Sequence, residues 1–257
     1  MKFSANLGFL FRELTLLDAV HAAATAGFSA IECHWPYATD PNAFRAALDQ
    51  HDLPLLALNT EVGSRERADF GLAAIPGRET EARAVIDQAI DYAAASGARN
   101  VHVMAGKAEG EAAEATFSAN LRYADSRIGN RDIGLLIEPL NHRDAPGYFL
   151  RTLEHAAQLV EAVGIARLKI MFDCYHVQIE GGDLLARFKC NLLQIGHVQI
   201  AAVRDRGEPD EGEIDYRWLL PQLRAAGYDG WIGAEYRPRT GTAAGLGWLK
   251  AFTEAQL

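Results

Sequence analysis

The chain has 257 residues, is 49% hydrophobic, and carries 34 acidic against 25 basic side chains for a formal net charge of −9. That balance repels nucleic acid, so a polyanion-binding role is disfavoured. Three cysteines, Cys33, Cys174 and Cys190, form an odd set without motif spacing, which excludes a disulfide framework and fits a reducing compartment. No run approaches the roughly 20 apolar residues that cross a bilayer. The opening segment reaches Arg12 and Glu13 before a signal-peptide core could build. A cytoplasmic protein with no nucleic-acid and no membrane partner is expected.

Short β-like runs alternate with helical runs from end to end, the pattern of βα units around a parallel sheet. Strands are predicted near 2–6, 28–33, 53–59, 100–104, 134–138, 168–173, 195–201 and 231–235. Helices are predicted near 13–26, 41–51, 79–96, 111–128, 152–163, 182–191, 216–226 and 242–252. Thr15-Leu16-Leu17-Asp18 has capping-box form, with Asp where Glu or Gln is usual. Asp40 before Pro41 is an N-cap followed by proline at the first helical position. Val85, Ile86, Ala89, Ile90 and Ala93 make one apolar face at helical spacing. Gly27, Gly97, Gly164 and Gly227 close helices just ahead of strands. The connections Thr60 to Arg78 and Ala202 to Asp215 are too long for turns; both follow strands, so they are expected to wall or cover a site. With no linker or low-complexity segment, the expected fold is α/β, a single (β/α)8 TIM barrel over residues 1–257, with an open doubly wound sheet as the alternative.

Each predicted strand carries a polar residue near its C-terminal end: Asn6, Glu32, Asn59, His102, Glu138, Asp173, Gln199 and Glu235. In a TIM barrel the loops at that end build the active site. The last four close apolar runs with three carboxylates and an amide, and bare carboxylates sharing a cavity repel and raise one another's pKa values. A divalent cation removes the conflict. Glu138, Asp173, Gln199 and Glu235 offer an all-oxygen set that suits Mg²⁺ or Mn²⁺ and not zinc. Glu138 and Glu235 stand three strands apart, so they are expected to flank a small substrate as an acid/base pair that moves a proton between adjacent carbons. His102, His176, His197 and Asn59 are expected near the substrate, the histidines as contacts, proton carriers or hydrogen-bond donors that orient other groups. Arg206, in the loop after Gln199, is expected to hold a substrate carboxylate through its planar guanidinium. No glycine-rich phosphate cradle is evident, which disfavours a sugar phosphate.

Several segments resemble hydroxypyruvate isomerase: Ile137-Glu138-Pro139-Leu140-Asn141-His142, Asp173-Cys174-Tyr175-His176-Val177-Gln178, Gly196-His197-Val198-Gln199-Ile200-Ala201, Gly212-Glu213-Ile214-Asp215-Tyr216 and Gly230-Trp231-Ile232-Gly233-Ala234-Glu235-Tyr236. With Phe3-Ser4-Ala5-Asn6-Leu7 and Ile75-Pro76-Gly77-Arg78-Glu79, the resemblance spans nearly the whole chain. It implies a barrel similar to that of xylose isomerase with one divalent metal, interconverting hydroxypyruvate and tartronate semialdehyde. It also implies metal ligands at Glu138, Asp173, Gln199 and Glu235, and proton donor/acceptor glutamates at Glu138 and Glu235. The run from Asp205 to Ile214 and the segment Val101-His102-Val103-Met104-Ala105-Gly106 instead look like 2-oxotetronate isomerase, whose substrate is one carbon longer. A ketose 3-epimerase would carry a histidine ligand where Gln199 stands, and an endonuclease of this barrel class would carry more histidine ligands and a basic face. A non-catalytic barrel that binds a sugar acid is disfavoured because neither glutamate is lost. The partners expected are a small-molecule hydroxy-oxo acid and, on assembly, further copies of the chain in a homo-oligomer.

Overall fold

The computed structural model describes residues 1–64 and 66–254. Its strands are β1 Phe3–Asn6, β2 Ala30–Cys33, β3 Leu55–Asn59, β4 Asn100–His102, β5 Gly134–Ile137, β6 Leu168–Asp173, β7 Ile195–Ile200 and β8 Ile232–Ala234. They pair in parallel in sequence order, and β8 returns to β1 through Phe3–Ile232, Ser4–Gly233 and Ala5–Ala234, closing a (β/α)8 TIM barrel. The helices among the described residues are α1 Leu16–Ala26, α2 Pro41–Asp49, α3 Glu79–Ser96, α4 Gly110–Ile128, α5 Leu153–Val163, α6 Cys174–Glu180, α7 Leu184–Asn191, α8 Tyr216–Ala225 and α9 Gly247–Glu254.

Local chemistry sets the helix ends. The Asp40 carboxylate accepts the Asn42 and Ala43 N–H groups, and Gly97 ends α3 in the left-handed conformation with φ of 78°. Of the apolar face foreseen on α3, Ile86, Ala89, Ile90 and Ala93 are buried against the barrel. Trp248 of α9 meets Phe3 edge-on at 5.4 Å and Phe252 at 5.6 Å, and donates its indole N–H to the Tyr236 hydroxyl. The helix α6 departs from expectation. Asp173 ends β6 and is also the N-cap of α6, accepting the Tyr175 N–H on Oδ1 at 2.9 Å. A strand that passes straight into a helix leaves no turn residues to read.

Inside the barrel, residues two apart on each strand face the axis. Ala57, Leu136 and Met171 form an apolar cluster distinct from the main core between sheet and helices. Two residues further on come Asn59, Glu138 and Asp173. On the other side of the axis, Ser4, Glu32, His197 and Gln199 form a buried polar group beside Gly233.

The foreseen long connections are pinned. Gly71 N–H bonds to the Val62 carbonyl, and Arg78 forks onto Asp69 at 2.8 and 2.9 Å. In the segment after β7, Ala202 N–H bonds to the Gly207 carbonyl, Arg206 N–H to Ala202, and Arg237 N–H to Arg206. A third long connection, residues 138–152 between β5 and α5, was not singled out by the sequence.

Gly233 is where the interior is tightest. A Cβ there would overlap Glu32 Oε1 and stand 2.8 Å from Gln199 Cγ and 2.9 Å from His197 Nε2. Glu32 and Gln199 are held by hydrogen bonds to Ser4 and to each other, and His197 is buried beside them, so the three have little room to give way. Gly233→Ala is therefore expected to cost about 1–3 kcal/mol of stability, as overpacking does, read as a lower denaturant midpoint.

Candidate active site

The loops at the C-terminal end of the barrel enclose a cavity of about 280 Å³. Of the residues singled out in the sequence, Asn59, His102, Glu138, His176, Arg206 and Glu235 line it. Asp173, Gln199 and His197 are buried and do not. Asp173 still belongs to the group, since ligand atoms of Glu138, Asp173 and His176 lie within 4.8 Å of one another. Gln199 is the register partner of Asp173 on the neighbouring strand. His197 turns to Glu32, with Nε2 3.0 Å from Oε1, and does not reach the cavity. Among the lining residues that the sequence reading did not single out are His34 and Asp144. His34 follows Glu32 by two residues, a spacing that could have flagged it, whereas Asp144 lies in the unnoticed third connection and gave no signal.

Glu235 has both oxygens occupied. Oε1 accepts from His34 Nε2 at 2.7 Å and Asn6 Nδ2 at 3.1 Å, and Oε2 accepts from Arg206 Nη2 at 2.8 Å. Burial pushes its pKa up, but the Arg206 charge and the His34 hydrogen bond outweigh burial and hold it at about 2. Glu138 has no such partners. Burial, reinforced by the charges of Glu235 and Asp173, lifts its pKa well above the ordinary carboxylate value, and its Oε1 has no hydrogen-bond partner. Burial also raises Asp173, against the opposing charge of Arg206, to about 7. Two carboxyls facing one cavity are thus driven apart, Glu235 toward its ionised form and Glu138 toward its protonated one.

Arg206 is the guanidinium that touches this group. Nη2 bonds Glu235 and lies 3.5 Å from Asp173 Oδ2, Nη1 lies 3.4 Å from Asp144, and the buried Nε has no partner. The cation also faces the rings of Phe9 and Tyr175. Three of the five N–H donors of Arg206 are directed at protein carboxylates, which leaves Nε–H and one N–H of Nη1 without a protein partner.

The protonation pattern of His176 follows from its backbone partner. Asn141 N–H donates to Nδ1 at 3.0 Å, and the Asn141 side-chain amide also faces Nδ1, its own oxygen accepting from Arg143 and Asp144 N–H. Nδ1 is therefore the acceptor and, in the neutral ring, Nε2 carries the proton. Burial, with the charge of Arg206 beside it, holds the pKa well below the ordinary value and the ring neutral. Nε2–H faces Asp173 Oδ2 at 3.5 Å and Glu138 Oε1 at 3.9 Å. In this tautomer His176 is a donor and cannot ligate a metal.

The remaining donors fit a hard cation. Glu138 Oε1 and Gln199 Oε1 are buried oxygens without hydrogen-bond partners, and burial, with the charge of Glu235 nearby, raises the pKa values of Glu138 and Asp173. These oxygens suit Mg²⁺ or Mn²⁺, and His102, which also lines the cavity, adds two ring nitrogens without hydrogen-bond partners.

Comparison with known proteins places this geometry. The profile of the xylose isomerase-like TIM barrel family matches residues 20–252. The chain is 44% identical to 2-oxo-tetronate isomerase of Cupriavidus necator and 39% identical to hydroxypyruvate isomerase of Escherichia coli, covering 98% of this chain in both, 98% of the first relative and 99% of the second. A crystal structure named AP endonuclease, family 2, from Brucella melitensis superposes with a TM-score of 0.93 at 41% identity, over 97% of this chain and 98% of that one. The chain belongs to the xylose isomerase-like TIM-barrel family.

One consequence of burial is directly measurable. Burial lowers the pKa of His102 to about 4, whereas the unfolded chain protonates histidine near 6.5. Between those values the unfolded state binds the additional proton, so stability is lost as pH falls from about 6.5 toward 4. His102→Gln is expected to lack that part of the pH dependence, read as a smaller difference between denaturant midpoints at pH 7 and pH 4.5.

Proposed function

We propose that this isomerase, acting as one domain over residues 1–257, moves a proton between adjacent carbons of a small hydroxy-oxo acid. The reaction is the interconversion of hydroxypyruvate and 2-hydroxy-3-oxopropanoate (tartronate semialdehyde) through an enediolate. The observation that carries this reading is the pair of buried carboxyls facing one cavity, Glu235 with both oxygens held by Asn6, His34 and Arg206, and Glu138 with Oε1 left open. At about 280 Å³ that cavity is near the lower end of ligand pockets, roughly 300–1,000 Å³, which suits a substrate of few atoms.

In this reading Glu235 removes the proton from the carbon bearing the hydroxyl, and Glu138 returns one to the neighbouring carbon, while the hydroxyl proton passes to the former carbonyl oxygen. Asn6 and His34 keep the Glu235 carboxylate aimed, and Arg206 preserves its charge in a buried place. The Nε2–H of His176 and the Nε–H of Arg206 are free to meet substrate oxygens. Glu138, Asp173, Gln199 and Glu235 would hold one divalent cation, Mg²⁺ or Mn²⁺, which when bound supplies Lewis-acid polarisation of the substrate carbonyl. The net charge of −9 and the acidic cavity oppose DNA as a substrate, whatever the relative from Brucella melitensis does. A second substrate, 2-oxotetronate, is favoured by the 44% identity to the Cupriavidus necator enzyme and by the run from Asp205 to Ile214.

Side-by-side turnover of hydroxypyruvate, 2-oxotetronate and a neutral ketose, with Mn²⁺ and after chelation, tests the reading. Activity on one of the acids that disappears with the chelator is expected, and no turnover of either acid would overturn it. Glu235→Gln keeps the size of the side chain but removes the base. Since general acid–base catalysis is typically worth about 10² to 10⁴ in rate, turnover should fall by that factor while the circular dichroism spectrum stays unchanged.

A further inference from the structure

We propose that Glu32 is a positioning residue that fixes which end of the Gln199 amide is offered to a divalent cation. The proposal rests on the cation reading above and assigns a role to a buried carboxylate that the proton transfer does not use. Glu32 is 2% exposed and does not line the cavity, so it touches no substrate. Burying a carboxylate is costly unless it is matched by donors, and here each of its oxygens has one. Oε1 accepts the Ser4 hydroxyl at 2.5 Å, with His197 Nε2 3.0 Å away, and Oε2 accepts Gln199 Nε2 at 2.7 Å.

That last bond decides the polarity of the amide. The two ends of a glutamine amide have nearly the same shape, so packing alone does not choose between them. An ionised carboxylate only accepts hydrogen bonds. The Gln199 NH2 group must therefore face Glu32, and Oε1 must lie on the side away from it. Oε1 is buried there without a hydrogen-bond partner, an acceptor left unmet inside the protein. Gln199 is paired in register with Asp173 on the adjacent strand, so its side chain leaves the sheet beside one of the carboxylates of the site. A flipped amide would set its oxygen against the Glu32 carboxylate and turn N–H groups, which cannot ligate, toward the cation. Gly233 completes the arrangement, because any Cβ there would overlap Glu32 Oε1 and crowd Gln199.

The test titrates Mn²⁺ alone into the full chain and follows free Mn²⁺ by electron paramagnetic resonance, with thermal unfolding as the control for folding. Outer partners of metal ligands typically change affinity about 10- to 100-fold. Glu32→Gln, which can no longer force the amide, should weaken Mn²⁺ by at least about tenfold on that scale. Glu32→Asp keeps the charge but withdraws the carboxylate by one methylene, and should weaken Mn²⁺ similarly; it carries the test if Glu32→Gln fails to fold. In the double variant Glu32→Gln with Gln199→Glu, the amide and the carboxylate exchange places across the same hydrogen bond, and tight binding should return. Folded Glu32 variants that bind Mn²⁺ as the wild type does would overturn the role of Glu32 and leave the cation reading standing. A double variant no tighter than Glu32→Gln would likewise overturn it, because Glu32 would then act only on the fold. A wild-type chain that binds no Mn²⁺ overturns the cation reading and the proposal together.

Discussion

Four carboxyl groups, Glu32, Glu138, Asp173 and Glu235, are buried at one end of this barrel, and the surrounding structure is organised around that burden. An unmatched buried carboxylate either gains donors or gains a proton. The four groups resolve the conflict differently. Glu32 collects Ser4 and Gln199, Glu235 collects Asn6, His34 and Arg206, and Asp173 takes a backbone N–H at the start of α6. Glu138 collects nothing on Oε1 and keeps a raised pKa. The uneven sharing of donors is what drives Glu138 and Glu235 in opposite directions. Arg206 is central to that sharing. Its backbone has φ of 58°, a left-handed conformation that a non-glycine residue adopts at some cost. The hydrogen bonds of Ala202, Arg206 and Arg237 around it hold the conformation and deliver the guanidinium to the carboxylates.

The barrel was legible because βα alternation, helix caps and apolar faces are local signals, and eight such units have few ways to bury their sheet. The candidate site was legible for a related reason. Apolar strands that end on Glu138, Asp173, Gln199 and Glu235 conflict with core packing, and such local conflict marks function. Depth was not legible. Whether a strand-end residue lines the cavity or lies buried below depends on stagger between strands, and the register shifts at Ile31/Glu32 and at Ile170/Met171 have no sequence signature. Asn59 and His102 line the cavity, while His197 and Gln199 do not. Arg206 was read as facing the substrate alone, because its protein partners are 29 and 33 residues away along the chain and meet it only in the folded barrel.

Donor and acceptor polarity in the site is set from outside it. His176 has its proton on Nε2 because the backbone N–H of Asn141, in the loop after β5, occupies Nδ1. That loop is tied to α6 by Glu180, which accepts from His142 N–H at 2.6 Å and from Arg151 at 3.1 Å. The short helix that sequence reading missed and the connection it passed over therefore form one unit, whose effect is to aim a single N–H at Asp173 and Glu138.

The same logic separates the two roles that carboxylates play in the cavity. Groups whose oxygens are already filled by fixed donors, as in Glu235, keep a stable charge and a fixed orientation. Oxygens left without donors, on Glu138 and Gln199, are stable only when something positive or protic arrives. A closed barrel holds both kinds within one small volume because each strand contributes one side chain at the mouth and another one pleat below. Just past β2 the upper residue, His34, lines the cavity, while Glu32, one pleat below, lies outside it and holds the Gln199 amide.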